Sequence, residues 1–310
     1  MHRAAIVALT LLLLAVWRDG PAAQGSQPAR AGAAYKSGID VVDFTVTVID
    51  RSGKLLADLK AEDFDIREDG VPQTLTYFSA GSDQTTVPLH IGLLFDTSES
   101  MELDLAFSRT AAIKFLSAFP KAIDFSLVDF DTEVRAARFL QSEFPRLVER
   151  IRNRPAKGST ALYDALGVYL GGAFDQTGRK VLVLYTDGGD TTSSRSWSEA
   201  VRLLKASDVT IYPIGFMGHQ HGTSRMLQQS RLTEMAALTG GQAFFPTMIK
   251  ELDAMYGRIA DEMHTQYALG YVSTNATHDG RWRKVSVKSA PLRAMRSSRS
   301  CASAMSSSRS

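Results

Sequence analysis

An aspartate and two serines alternate in Asp96-Thr97-Ser98-Glu99-Ser100, at the end of the apolar run Leu89 to Phe95. Further along, Gly158-Ser159-Thr160 precedes a helical stretch, and Thr186-Asp187-Gly188 follows a second apolar run. Together these segments offer the oxygen ligands that a hard divalent cation takes. Asp96 and Asp187 bring charge; Ser98, Ser100 and Thr160 bring neutral hydroxyls. So few anionic ligands would leave Mg²⁺ (or Ca²⁺ or Mn²⁺) electrophilic enough to accept one more carboxylate, which a cage of four carboxylates would prevent. The pattern points to a metal-dependent binding protein rather than an enzyme. Taken singly, each segment is also ordinary cap and turn chemistry. All three in order, each after the expected element, are much harder to obtain by chance.

The elements that must position these residues are legible from residue 87 onward. Leu89–Phe95 and Lys180–Tyr185 are continuous apolar runs, as in strands buried on both faces. Helical patterns cover Leu103–Phe119, Ser142–Asn153, Ala161–Phe174, Trp197–Ala206, Ser224–Thr239 and Met248–His264. Phe125–Phe130 and Val134–Leu140 make a hairpin; Val209–Ile214 and Gln242–Phe245 complete the strands. Alternation of this kind predicts an α/β domain over 87–264, a doubly wound, Rossmann-like, mostly parallel sheet covered by helices on both sides. Ligands of such sheets sit beyond the carboxyl ends of strands, where strand order reverses, and Asp96 and Asp187 both fall there. Phe115, Leu116, Phe119, Leu203 and Leu204 keep helical spacing and belong to the core.

Before this domain, residues 39–80 read as a small antiparallel β module: Val41–Asp50 alternates, and Phe64–Glu68 and Gln73–Phe78 flank the turn Asp69-Gly70. Gly81 to Thr86 is a polar joint. After it, Gln266–Val272 and Trp282–Val287 read as β again; two strands are weak alone, so the segment 265–288 is expected to pair with the N-terminal module. The Ser/Arg-rich stretch 289–310 lacks apolar periodicity and is expected to be disordered.

Asp96-x-Ser98-x-Ser100, Thr160 and Asp187 together resemble the metal-ion-dependent adhesion site of von Willebrand factor type A domains, and the element order from Val87 to His264 agrees with that family. More loosely, Val48-Ile49-Asp50-Arg51-Ser52-Gly53, Leu59-x-x-Glu62-Asp63-Phe64, Glu68-Asp69-Gly70 and Tyr267-x-Leu269-Gly270-Tyr271 resemble exported A-domain-related proteins abundant in acidobacteria. The resemblance implies that Ser98 and Ser100 bind the metal directly, Thr160 directly or through water, and Asp96 and Asp187 mostly through waters and hydrogen bonds. It implies a protein partner that supplies a Glu or Asp carboxylate. In some members ligation shifts the last helix, here Met248–His264.

Other readings stand beside this one. Ser98 as the nucleophile of a hydrolase lacks Gly-x-Ser-x-Gly and a placed histidine base. A structural envelope protein, with a metal that only stiffens loops, is the third. His219-x-His221 reads as an exposed polar loop, Asp190-Thr191-Thr192 as a solvated loop, and Asp129 and Asp131 as turn chemistry away from the metal edge. Lys157 precedes Gly158 without the spacing of a phosphate-binding loop.

A net charge of +2 gives no pull toward nucleic acid. Met1-His2-Arg3, the apolar run Ala4 to Trp17 and Gly20-Pro21-Ala22-Ala23 match an export signal over 1–23, with a linker over 24–38. The run is short for a stable membrane span. Cys301 is the only cysteine, so neither an intrachain disulfide nor a lipid-anchored cysteine after the signal is possible. An exported chain of that kind fits a bacterial envelope, periplasmic or secreted.

Overall fold

In the computed structural model the described residues are 41–50, 52–80, 88–173, 175–218, 220, 222–248, 251–275, 277, 283–289 and 295–297. The expected export signal, linker and polar joint, with His219 and His221, lie outside them.

The domain that carries the motif is built on a five-stranded sheet. Its strands are β5 (Leu89–Asp96), β6 (Asp124–Phe130), β7 (Val134–Leu140), β8 (Arg179–Thr186) and β9 (Val209–Gly215), in the order β7-β6-β5-β8-β9. β5 pairs in parallel with both β6 and β8, β8 pairs in parallel with β9, and only β7 is antiparallel. Among the described residues six α-helices accompany them: α1 (Glu102–Ser117), α2 (Phe144–Asn153), α3 (Leu162–Ala173), α4 (Trp197–Ala206), α5 (Gly222–Thr239) and α6 (Glu251–Thr265).

The continuous apolar runs follow from burial on both faces. Ile91, Leu93 and Phe95 of β5 and Val181, Val183 and Tyr185 of β8 pack with α1, α2 and α6. The alternate residues Leu94, Leu182 and Leu184 pack with α3, α4 and α5 on the other face. Phe115, Leu116, Phe119 and Leu204 are buried, and Leu203 is partly so. Gly92 has a steric reason: a Cβ there would sit 2.2 Å from the Tyr169 ring, so α3 rides directly on β5. The chain leaves β5 toward β6 on one side and returns to β8 on the other. Strand order therefore reverses at the carboxyl end of β5, where Asp96 lies.

Gln242–Phe245 does not form the expected strand. Phe244 alone makes a parallel bridge to Ile214, because Gly241 is pressed against the Ile211 carbonyl and Pro246 has no N–H to extend the ladder.

The β module holds two small sheets around its own core. Strands β1 (Val41–Val48), β2 (Phe64–Glu68), β3 (Val71–Gln73) and β4 (Leu75–Ser79) come from before the α/β domain; β10 (Tyr267–Val272), β11 (Val285–Ser289) and β12 (Met295–Ser297) come from after it. One sheet runs β12-β1-β10-β4 and the other β11-β2-β3. Both sheets thus join strands from the two ends of the described chain. Val42, Phe44, Val46, Ile66, Tyr267, Leu269 and Tyr271 fill the space between them. Disorder from residue 289 onward fails at Ser289, which ends β11 and pairs with Phe64, and at Met295–Ser297, which pair with Val46–Val48. The free edge of β1 offers backbone partners, and pairing there needs no apolar periodicity. The rest of that tail lies outside the described residues.

Candidate metal centre

Asp96 is the last residue of β5 and has no exposed surface. One carboxylate oxygen accepts the Ser98 N–H at 2.9 Å and the other accepts the Thr186 hydroxyl at 2.6 Å. The first bond bends the chain so that Ser98 and Ser100 face the same way, with their hydroxyls 3.1 Å apart. Ser98 is buried and Ser100 is exposed. The second bond ties the end of β5 to the end of β8, one residue before Asp187.

The Thr160 loop is held to the same place by backbone. Lys157 N–H donates to Thr97 O at 2.9 Å, and Glu99 N–H donates to Gly158 O at 3.0 Å. Gly158 takes φ +71°, which favours glycine, and a Cβ there would meet the Thr132 hydroxyl at 2.6 Å. Thr160 itself is buried; its N–H donates to the Thr191 hydroxyl at 2.9 Å, and its carbonyl accepts the N–H groups of Thr191 and Thr192. Asp187 accepts the Gly189 N–H at 3.1 Å and the Gln220 amide at 3.2 Å.

Burial pushes the Asp96 carboxyl up to about 7; hydrogen bonds from Ser98 and Thr186 oppose that, and the negative charge of Asp187 adds to it. Among the described residues the donors to both carboxylates are hydroxyls, backbone N–H groups and an amide, with no Lys, Arg or His. Among the described residues no group of three or more His, Cys, Asp or Glu could hold a metal, so any cation here depends on hydroxyl oxygens. Two carboxylates near enough to repel, beside a pair of serine hydroxyls, form a donor set that fits a hard dication. Ser100 and Asp187 open into a depression of about 460 Å³ rimmed by Glu99, Glu102, Leu103, Asp104, Phe216 and Gln220.

The structure therefore brings together all three segments, and it corrects three expectations beside them. The β6–β7 hairpin is not away from this edge. Its Phe130 carbonyl accepts Thr97 N–H, its Asp131 carbonyl accepts Ala161 N–H, and Thr132 Oγ1 accepts Ser159 N–H. Nor is Asp129 turn chemistry: it is buried and paired with Arg135, Arg150 and Arg154 at 2.6–2.9 Å. Asp131 does make a turn bond to Glu133 N–H, but it also pairs with Arg135 at 2.6 Å. Asp190-Thr191-Thr192 is likewise more than a solvated loop, since Asp190 caps Tyr163 N–H at the start of α3 at 3.0 Å. The sequence pattern passes over Thr132 and Gln220 and gives Thr186 and Thr191 no positioning role, because short polar residues around loops carry no spacing signal.

A family model described as the von Willebrand factor type A domain matches residues 90–258, more than half of the chain. The chain belongs to the von Willebrand factor type A family. No curated protein matches it. Among solved structures, this A-domain chain is similar to a mutant of the PilB minor pilin from Streptococcus sanguinis, with 18% identity and a TM-score of 0.48 over 57% of this chain. It is similar to the pilus adhesin SpaC from Lactobacillus rhamnosus GG, with 13% identity and a TM-score of 0.50 over 66% of this chain. The vWF domain of the type V pili tip protein Mfa5 from Porphyromonas gingivalis gives 13% identity and a TM-score of 0.47, covering 62% of this chain and 99% of that domain. The chain spans 62% of the PilB structure and 34% of SpaC. At these identities the likeness is one of fold.

Proposed function

We propose that this A-domain protein is an exported binding module that holds Mg²⁺ (or Ca²⁺ or Mn²⁺) and captures a Glu or Asp side chain of a partner protein. Asp96, Ser98, Ser100, Thr160 and Asp187 would hold the cation, which, when bound, offers a Lewis-acidic position to an incoming carboxylate. The reading rests on one observation above the others: two buried, mutually repelling carboxylates have no basic partner among the described residues, yet they stand beside an exposed hydroxyl at a solvent-open depression. Asp96 orients the Ser98 loop through its N–H, Thr186 fixes Asp96, and the Thr191 hydroxyl fixes Thr160. Exposed Leu103 adds an apolar contact at the rim.

Export rests on the N-terminal charge and apolar pattern of the sequence. Among the described residues no helix is long and apolar enough to cross a membrane. The name of SpaC, a pilus adhesin, accords with a binding role. A serine hydrolase is disfavoured by the bonding of Ser98, whose hydroxyl meets Ser100 and has no histidine bonded to it among the described residues.

Calorimetric titration of the chain with Mn²⁺ and Mg²⁺, beside partner capture from envelope extracts with and without EDTA, tests the proposal. Saturable metal binding and EDTA-sensitive capture are expected, both lost in Ser98→Ala and Asp187→Ala. Capture that persists unchanged through EDTA and both substitutions would sink it.

A further inference from the structure

A second cavity, of about 540 Å³, lies at the amino end of the parallel sheet, the end opposite Asp96. One wall is the first turn into β8, from Gln176 to Val181; the other is the outer face of β1, β10 and β4, through Asp43, Thr45, Ala268 and Tyr77. The volume lies in the range of small-molecule sites.

Among the described residues, four charged ones line this cavity: Asp43, Arg179, Lys180 and Asp208. Lys180 and Asp208 pair at 2.6 Å and cancel each other. The other two do not. The Arg179 guanidinium gives one nitrogen to neutral oxygens, Met263 O and Gln266 Oε1, and its buried Nε has no hydrogen-bond partner. Burial draws its pKa down to about 10, and no carboxylate acts against that. Uncompensated burial of a guanidinium is costly, and a carboxylate matches its fork of donors. Asp43 faces the cavity from β1, opposite Gly270 of β10. A Cβ at Gly270 would sit 2.4 Å from the Asp43 carboxylate, so glycine is what makes room for that group. Desolvation alone raises the Asp43 carboxyl, with no donor or cation to offset it. Tyr77, Pro88 and Ala268 supply apolar wall beside the two charges.

From this arrangement, one largely buried cation with no anionic partner and one carboxylate with no cationic partner among the described residues, both lining a shared cavity, we infer a binding site for a small zwitterion of the amino-acid type. The ligand carboxylate meets Arg179, its ammonium meets Asp43, and its side chain lies along the apolar wall. The occupant touches both the β module and the α/β domain. The inference is independent of the metal centre.

Calorimetry on the full chain at neutral pH tests it with L-leucine, L-phenylalanine and L-glutamate. The controls are 4-methylpentanoate, which keeps the leucine skeleton and carboxylate, and 3-methylbutylamine, which keeps the amine. At least one amino acid is expected to bind at a single site, and each single-charge control at least ~10-fold more weakly, which corresponds to about 1.4 kcal/mol. Asp43→Asn and Arg179→Gln should each weaken binding by a similar factor and leave Mn²⁺ binding unchanged. If Arg179→Gln does not fold, Asp43→Asn, at an exposed strand position, decides alone. No binding of any of the three amino acids, equal binding of a control, or undiminished binding by Asp43→Asn overturns the inference.

Discussion

At the scale of single residues, the metal centre depends on side chains that would not themselves touch a cation. Thr186 donates to Asp96 at 2.6 Å and its own oxygen accepts Gly188 N–H at 3.0 Å, so one hydroxyl positions both acidic segments. Thr186→Val keeps the shape and removes the bonds. It should weaken Mn²⁺ binding by ~10–100-fold, as for other groups that orient ligands; calorimetry giving parental affinity would show that Thr186 is dispensable. Asp129 acts differently, as a buried anion among Arg135, Arg150 and Arg154. Asp129→Ala strands Arg150 and Arg154, while Arg135 keeps Asp131, and should cost about 3 kcal/mol in urea unfolding. Its neighbour Asp131 supplies a pH dependence. Burial raises Asp131, but hydrogen bonds from Arg135 and Glu133 N–H and the charges of Arg135 and Lys157 outweigh it, and its pKa is lowered. A carboxyl lowered in the folded state contributes stability above its unfolded value of about 3.9, and that contribution fades as pH falls through the folded value. Asp131→Asn should therefore be less stable than the parent at pH 7, with the gap closing in acid. A gap independent of pH would assign the loss to something other than the charge.

At the scale of elements, the question is how a loop before α3 is held against the end of β5. The answer is backbone pairing plus one left-handed glycine. Gly158→Ala would meet both the φ of +71° and the Thr132 hydroxyl. It should cost roughly 1 kcal/mol or more, and it should also weaken Mn²⁺ binding, because Thr160 follows two residues later. If chemical melts show the loss and calorimetry shows none, the loop is not what sets Thr160. Sequence periodicity found these elements well where burial was two-sided, as in β5 and β8. It failed at Gln242–Phe245, whose few apolar residues look like a strand but meet only one ladder position.

At the scale of the whole molecule, the β module is closed by strands from both sides of the α/β domain. Tyr267 of β10 is buried; its hydroxyl accepts Leu59 N–H at 3.0 Å and donates to Leu56 O at 2.8 Å. Glu68 of β2 accepts Tyr271 and Ser273 hydroxyls of the later segment at 2.8 and 3.0 Å. Tyr267→Phe should destabilise by about 1–3 kcal/mol, the cost of leaving buried polar groups unpaired. Hydrogen exchange should show the loss in residues 41–79 and 267–289, with β5 and β8 still protected. Equal loss across all strands would mean that the two parts unfold as one unit.

What the sequence determined by itself was chemical and local: five oxygen-bearing residues in a recognisable order, apolar runs long enough to fill both faces of a sheet, and β patterns on either side of an α/β domain. Those signals survive in one dimension because each is a matter of residue type and short spacing. Only the tertiary structure decided that Thr186, on the neighbouring strand, holds Asp96, that the β6–β7 hairpin walls the Thr160 loop, and that Asp129 draws three arginines together. Those contacts join residues far apart in the chain through hydrogen bonds and ion pairs, and such partners carry no periodicity that a sequence could display.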